Sequence, residues 1–224
     1  MKNKKLIIGI NIALVIAVII GDIFYINIGK LWIKGTASFG FVLIGVIDLL
    51  YSMTVSPEGL KFRLMLTLGL FFSMLGDIVL NIHFIGGALI FAVGHVFYFI
   101  AHCSLIKLKG SDIIPCAIIF IVSALFVTLA PIFDFGSQLM KWVCVFYALV
   151  ISVMCGKAIS NLIRKRNILT LTLTVGCILF FFSDLMLLFD TFSDASPVFG
   201  TLCLATYYPA QCLLAICVGF KKSS

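Results

Sequence analysis

The sequence predicts an all-α protein: a polytopic membrane helix bundle of about eight transmembrane helices with both termini in the cytoplasm. Three observations carry that prediction. The 224 residues are 62% hydrophobic and only 11% charged, with a mean hydropathy of +1.24, whereas a soluble domain carries roughly a quarter charged residues. Twenty-two phenylalanines stand against a single glutamate, Glu58, so the chain has too few polar side chains to cover a water-facing surface. Charged groups, glycines and prolines divide it into eight apolar segments, each near the length of about 20 residues that a helix needs to cross hydrocarbon.

The segments run 6–28, 35–51, 63–82, 85–106, 113–131, 139–160, 168–189 and 198–219, within one transmembrane domain covering 1–224. The first follows Lys2, Lys4 and Lys5 as a signal peptide would, but it is too long and has no small-residue cleavage site, so it reads as a span. The second and fifth are the shortest. The third and seventh each contain an aspartate well inside the run, the fourth carries two histidines, and the eighth contains Pro209. Backbone groups in lipid must be satisfied internally, and the alternation of barrel strands is missing, so all eight are helices. No charged stretch is long enough to form a separate soluble domain. Any function therefore belongs to the bundle itself.

Eight spans put both ends on one side. That side collects Lys2, Lys4, Lys5, Lys61, Arg63, Lys107, Lys109, Lys157, Arg164, Lys165, Arg166, Lys221 and Lys222, while Lys30, Lys34 and Lys141 fall on the other. By the positive-inside rule the first side is cytoplasmic, and the composition fits a bacterial inner membrane. The net charge of +7 is spread over these short loops and forms no stripe for nucleic acid. The eight cysteines form no CxxC pair and fall mostly inside apolar runs, as packing residues rather than zinc ligands or disulfides.

An ionisable group inside a span costs about 2.5–3.5 kcal/mol to insert. Asp77 in "MLGD" and Asp184 in "FFSD" lie at matching depth, about five residues and so roughly 7–8 Å below the outer boundary. Bridging helices returns only about 0.6 kcal/mol on average, which is a poor offset for that cost. Around Asp77, Ser73 and Asn81 at i−4 and i+4 complete a polar stripe. The next helix aligns His95, Tyr98 and His102, and the last aligns Thr201, Tyr208 and Gln211 with Tyr207 adjacent. Tyr147 on the sixth can reach the same level. Four helices thus aim polar groups at one region. His95 and His102 are about 10 Å apart along their helix, too far to share one zinc ion, and no metal or other cofactor is expected. Asp22 and Asp48 sit near span ends within reach of water, and Asp112, Asp134, Asp190 and Asp194 read as solvated or capping loop residues. A parallel repeat is also visible, with "LTLGLFFSMLGDIVL" (66–80) laid over "LTVGCILFFFSDLML" (173–187).

Two buried carboxylates can divide labour, one protonated as a general acid and one ionised to stabilise positive charge, as in glycoside hydrolysis. At this depth they would meet the bonds near a phospholipid's glycerol. The run "LGDIVL" (75–80), "GHVFYFIAH" (94–102), "FFFSDLMLLF" (180–189) and "ATYYPAQCLL" (205–214) resembles the lysoplasmalogenase, or YhhN-like, family over about 63–214. The resemblance implies an eight-helix membrane hydrolase that cleaves the vinyl ether bond of lysoplasmalogens to a fatty aldehyde and a glycerophospho-alcohol. It implies Asp77 and Asp184 as the catalytic pair, with Ser73, Asn81, His95, Tyr98, Tyr147, Tyr207, Tyr208 and Gln211 as substrate-binding residues. The implied partners are the lysophospholipid substrate and membrane lipids; oligomeric state is left open. The chain departs from the family on the second span, reading "GTASFGFVLIGVIDLL" (35–50) where a Lys-Pro-Leu-Thr-like stretch is common. A proton-coupled transporter of small molecules or lipids, using the same Asp/His cluster, is the alternative.

Overall fold

A computed structural model describes residues 2–55, 58–194 and 196–220. Eight α-helices form: α1 Lys2–Ile28, α2 Leu31–Val55, α3 Leu60–Leu80, α4 Phe84–Leu105, α5 Ile113–Leu129, α6 Gln138–Arg164, α7 Ile168–Phe192 and α8 Val198–Ile216. All eight, some with an adjoining 3₁₀ turn, are long and apolar enough to cross a membrane. The protein is thus an all-helical integral membrane protein, and among the described residues there are no strands.

Helix starts follow local chemistry. The free backbone N–H groups of a first turn need acceptors, and three caps supply them. His83 Nδ1 accepts from Gly86 N at 2.9 Å, Ser137 Oγ from Met140 N at 3.2 Å and Asn167 Oδ1 from Thr170 N at 2.9 Å. The turn between α1 and α2 is tight because Gly29 adopts φ +69°, a left-handed conformation that glycine reaches without penalty. As a result α2 begins at Leu31, four residues before the expected start of 35, and carries Lys34 inside the helix rather than in a loop.

The helices pack as the antiparallel pairs α1–α2, α3–α4, α5–α6 and α7–α8, and α8 sits centrally against α1, α2, α3 and α7. The short α1–α2, α3–α4, α5–α6 and α7–α8 connections share one end of the bundle, which we call the outer end after the orientation expected from the charge bias. The core holds Phe41, Leu66, Leu70, Tyr98, Phe180 and Tyr208, all fully enclosed. Phe91, Phe180 and Tyr207 meet edge to face at centroid distances of 6.2, 6.0 and 5.3 Å, joining α4, α7 and α8. Gly76 makes room for this wedge, since a Cβ there would lie 2.7 Å from the Phe91 ring. α5 is the least embedded in the bundle: it packs along α6, touches α7 through Phe126 and Phe189 at 5.9 Å, and has Val127 as its one buried residue.

Several charges expected in water are buried. Asp112, read as a loop residue, is 1% exposed. It ends a 3₁₀ turn, Gly110–Asp112, and accepts from Lys157 Nζ at 2.7 Å, Arg164 at 3.1 Å and Ser160. Lys157, read as a loop anchor, is fully enclosed there. The cluster ties the α4–α5 connection to α6, and mutual pairing is what makes this burial tolerable. Asp22 and Asp48, expected within reach of water, are 4% and 3% exposed; Asp48 is held by Asn11 Nδ2 at 2.9 Å. Arg63 is also buried, with a contact to the Phe220 carbonyl at 3.4 Å. Lys221, Lys222 and the side chain of Lys2, counted in the charge bias, lie outside the described residues.

Candidate functional site

Asp77, on α3, is 2% exposed and surrounded by donors from two other helices. Its Oδ2 accepts from Ser38 Oγ of α2 at 2.6 Å and from Tyr207 OH of α8 at 2.8 Å. Lys34 Nζ, one turn before Ser38, lies 3.7 Å from Oδ1. Tyr208 OH reaches Ser38 Oγ at 3.2 Å and the Lys34 carbonyl at 3.3 Å, buttressing the same strip of α2. Two hydroxyl donors and an ammonium thus converge on one carboxyl group. Asn81, one turn outward, donates to the Asp77 carbonyl at 2.7 Å and accepts from Tyr25 OH at 3.1 Å. The Tyr25 ring in turn lies 5.5 Å from Lys34 Nζ.

Asp184, on α7, has a different setting. Its Oδ2 accepts from Tyr147 OH of α6 at 2.7 Å, and the Tyr147 oxygen is 2.8 Å from His95 Nε2 of α4. A tyrosine hydroxyl has one proton. With that proton on Asp184, His95 must present Nε2–H to the Tyr147 oxygen, and its Nδ1 is buried without a partner. The imidazole packs against the Phe180 ring at 4.7 Å and is fully enclosed. Oδ1 of Asp184 has no hydrogen bond among the described residues, and the side chain keeps 15% of its surface.

That surface opens at the junction of two cavities. One, of about 320 Å³, is an apolar groove between α4, α5, α6 and α7 with Phe84, Ala88, Phe126, Ile151 and Leu188 in its walls. The other, of about 270 Å³, is polar and holds Lys34, Asp77, Asn81, Asp190 and Tyr207. Asp184 lines both, with Leu80, Phe84, Phe91 and Leu187. Asp77 and Asp184 therefore share the polar cavity, and the groove leads away from Asp184 alone.

Of the residues expected to bind substrate, Asn81 and Tyr207 line the polar cavity and Tyr147 lines the groove. Tyr208 and His95 stand one residue behind. Ser73, Tyr98 and Gln211 form a separate buried set, in which Tyr98 OH donates to Gln211 Oε1 at 2.8 Å and lies 3.3 Å from Ser73 Oγ. None of these three lines either cavity. His102 belongs to neither, contacting Cys177 Sγ at 3.3 Å. Among the described residues no three His, Cys, Asp or Glu side chains gather as a metal-binding group.

Lys34 and Ser38 are absent from the expected site. Their spacing of i and i+4 on α2 is the same polar-stripe signal that marks Ser73, Asp77 and Asn81, but treating Lys34 as a loop anchor concealed it. Tyr25 and Asp190 are likewise additions from the structure.

Comparison with curated proteins and with solved structures finds no match to this chain. The model of the YhhN family matches residues 41–218, from α2 to the 3₁₀ turn that follows α8, a segment that includes both aspartates and begins just after Ser38. The chain belongs to the YhhN family.

Proposed function

We propose that this protein is a membrane-embedded hydrolase that cleaves the vinyl ether bond of lysoplasmalogen-type lysophospholipids, giving a fatty aldehyde and a glycerophospho-alcohol. The observation that carries the reading is the position of Asp184 at the meeting of an apolar groove and a polar cavity that Asp77 also lines. An amphiphile with one hydrocarbon chain fits such a pair of spaces with its chain in the groove, its headgroup in the cavity and the bond between them at the carboxyl. Membership in the YhhN family, which includes lysoplasmalogenases, supports it.

The two environments suit different roles. Asp77, with two hydroxyls and Lys34 around it, is assigned to stabilise positive charge. Asp184 is assigned as the acid: Tyr147 occupies Oδ2, which leaves Oδ1 as the oxygen free to deliver a proton to substrate. Asp184 protonates the vinyl ether β-carbon, and Asp77 stabilises the resulting oxocarbenium ion. Water then adds to the cationic carbon and returns a proton to the Asp184 carboxylate. The hemiacetal so formed breaks into aldehyde and alcohol without net consumption of protons. His95 acts through Tyr147 by fixing the direction of its hydroxyl.

Purified protein given a lysoplasmalogen should release aldehyde, and Asp77→Asn or Asp184→Asn should each abolish release while the protein remains folded in detergent. Aldehyde release by both variants at the wild-type rate would sink the assignment. The transporter alternative predicts no aldehyde from any of the three proteins.

A further inference from the structure

We propose that α5 is a lateral gate: it swings about its inner end between the position seen in the structure, apart from α4 with the apolar groove open, and a closed position against α4. A single-chain lipid then enters the groove sideways from the bilayer. The inference rests on the reading of that groove as the place of the lipid's chain and adds its route of entry.

The closed position has a counterpart in the same molecule. The repeat that lays 66–80 over 173–187 extends back to the preceding helix at the same displacement, laying Gly29 over Gly136, Lys34 over Lys141 and Asp77 over Asp184. Both glycines are left-handed, with φ +69° and +64°, and each stands just before the second helix of its half. In order, α1 to α4 correspond to α5 to α8, and the packing repeats in part: α8 lies against α2 as α4 lies against α6. There the likeness ends. α8 also packs on α1 and α3, whereas among the described residues no Cα of α4 comes within 8 Å of one of α5 or α7. The apolar groove occupies the place of those missing contacts. Of the two neighbours, α7 is held by both α6 and α8, and α5 by α6. α1 buries Asn11, Val18 and Asp22, where α5 buries only Val127.

The contacts of α5 divide into a fixed end and a releasable one. At the inner end, a Cβ on Gly156 of α6 would lie 2.5 Å from Cys116 N, so the two backbones touch there. The 3₁₀ turn just ahead of α5 is tied to α6 through Asp112. At the outer end the hold is lighter. Lys141 Nζ donates to the Thr128 carbonyl at 3.0 Å, Phe126 and Phe133 rest on Phe189 at 5.9 and 5.2 Å, and Asp134 N donates to the Phe192 carbonyl at 2.8 Å. A helix with few buried contacts moves at low cost, and one anchored end makes the motion a hinge. Entry from the bilayer keeps the chain out of water all the way to Asp184.

Disulfide trapping reads the closed position. Ala88 of α4 and Val122 of α5 both line the groove. A disulfide needs Cα atoms roughly 4.4–6.8 Å apart, closer than any α4–α5 pair in the structure. In the full chain in membrane vesicles, Ala88→Cys with Val122→Cys on a Cys144→Ala background should form the 88–122 bridge on mild oxidation, identified by mass spectrometry of the linked peptides. A saturated 1-alkyl lysophospholipid, which has no vinyl ether, should slow bridging about tenfold at about ten times its dissociation constant, as for a ligand that binds only the open form. Phe189→Ala, which removes the aromatic hold at the outer end, should speed it. Retained binding of that lipid shows that the variant is folded. In such protein, no bridge under either condition, or bridging at the same rate with and without lipid, overturns the inference. Lipid-sensitive bridging without aldehyde from a true lysoplasmalogen would instead overturn the hydrolase reading and leave the gate standing.

Discussion

Removing one hydroxyl, in Tyr147→Phe, tests the division of roles between the two aspartates. That oxygen makes two contacts, accepting from His95 Nε2 at 2.8 Å and donating to Asp184 Oδ2 at 2.7 Å. The second strengthens as Asp184 gives up its proton and becomes an anion, so its loss is felt in the transition state more than in the bound substrate. A hydrogen bond to a charged group is worth about 1.5–3 kcal/mol, which converts to a fall in kcat of roughly 10- to 150-fold with KM nearly unchanged. The same substitution leaves the His95 N–H buried without an acceptor and lowers stability by about 1–3 kcal/mol. Rates should therefore be taken per folded molecule, from aldehyde release in detergent over a range of lipid concentrations. Adding His95→Asn to Tyr147→Phe should cost little more than Tyr147→Phe alone, because His95 works through the missing hydroxyl. A kcat within twofold of wild type, or a defect confined to KM, would falsify the idea that Tyr147 orients the acid.

Two further substitutions address the neighbouring spaces. Lys34→Met leaves Asp77 buried without its counter-ion and should destabilise the protein by about 3–5 kcal/mol, read as a lower midpoint of thermal unfolding in detergent. Lys34→Met combined with Asp77→Asn should regain most of that stability yet release no aldehyde, and a fully stable single variant would contradict the ion pair. Ser123, with Val122 and Ile151, lines the inner limit of the groove. Ser123→Phe should displace about two methylenes of a long chain at about 0.8 kcal/mol each, lowering kcat/KM for long chains roughly 15-fold relative to short ones. Equal losses for both chain lengths would show that the chain lies elsewhere.

The helices were legible because the cost of exposing backbone to lipid leaves only long apolar runs as spans, and α5 begins at Ile113 and α8 at Val198 as expected. The two aspartates stood out for the same reason, since few charges tolerate such positions. What the sequence concealed were charges whose partners lie far along the chain. Lys157 and Asp112 are 45 residues apart, and Lys34 lies on a different helix from Asp77; Lys157, Asp112 and Lys34 viewed alone each look like a loop charge. Nor does spacing on one helix distinguish a cavity wall from a core contact. Tyr98 and His95 share a face of α4, yet Tyr98 turns to Gln211 and His95 to Tyr147.

The triangle of Phe91, Phe180 and Tyr207 has a bearing on the proposed pair of aspartates itself. Asp77 and Asp184 belong to separate hairpins, and among the described residues no hydrogen bond runs from one carboxyl to the other. Their spacing is set instead by three aromatic rings in edge-to-face contact, one of which, Tyr207, also donates to Asp77. The rings act as a gauge block between the two carboxyls and fix the gap between the helices that carry them. A change in ring size at Phe91 or Phe180 would alter how far apart the two aspartates stand without touching either one.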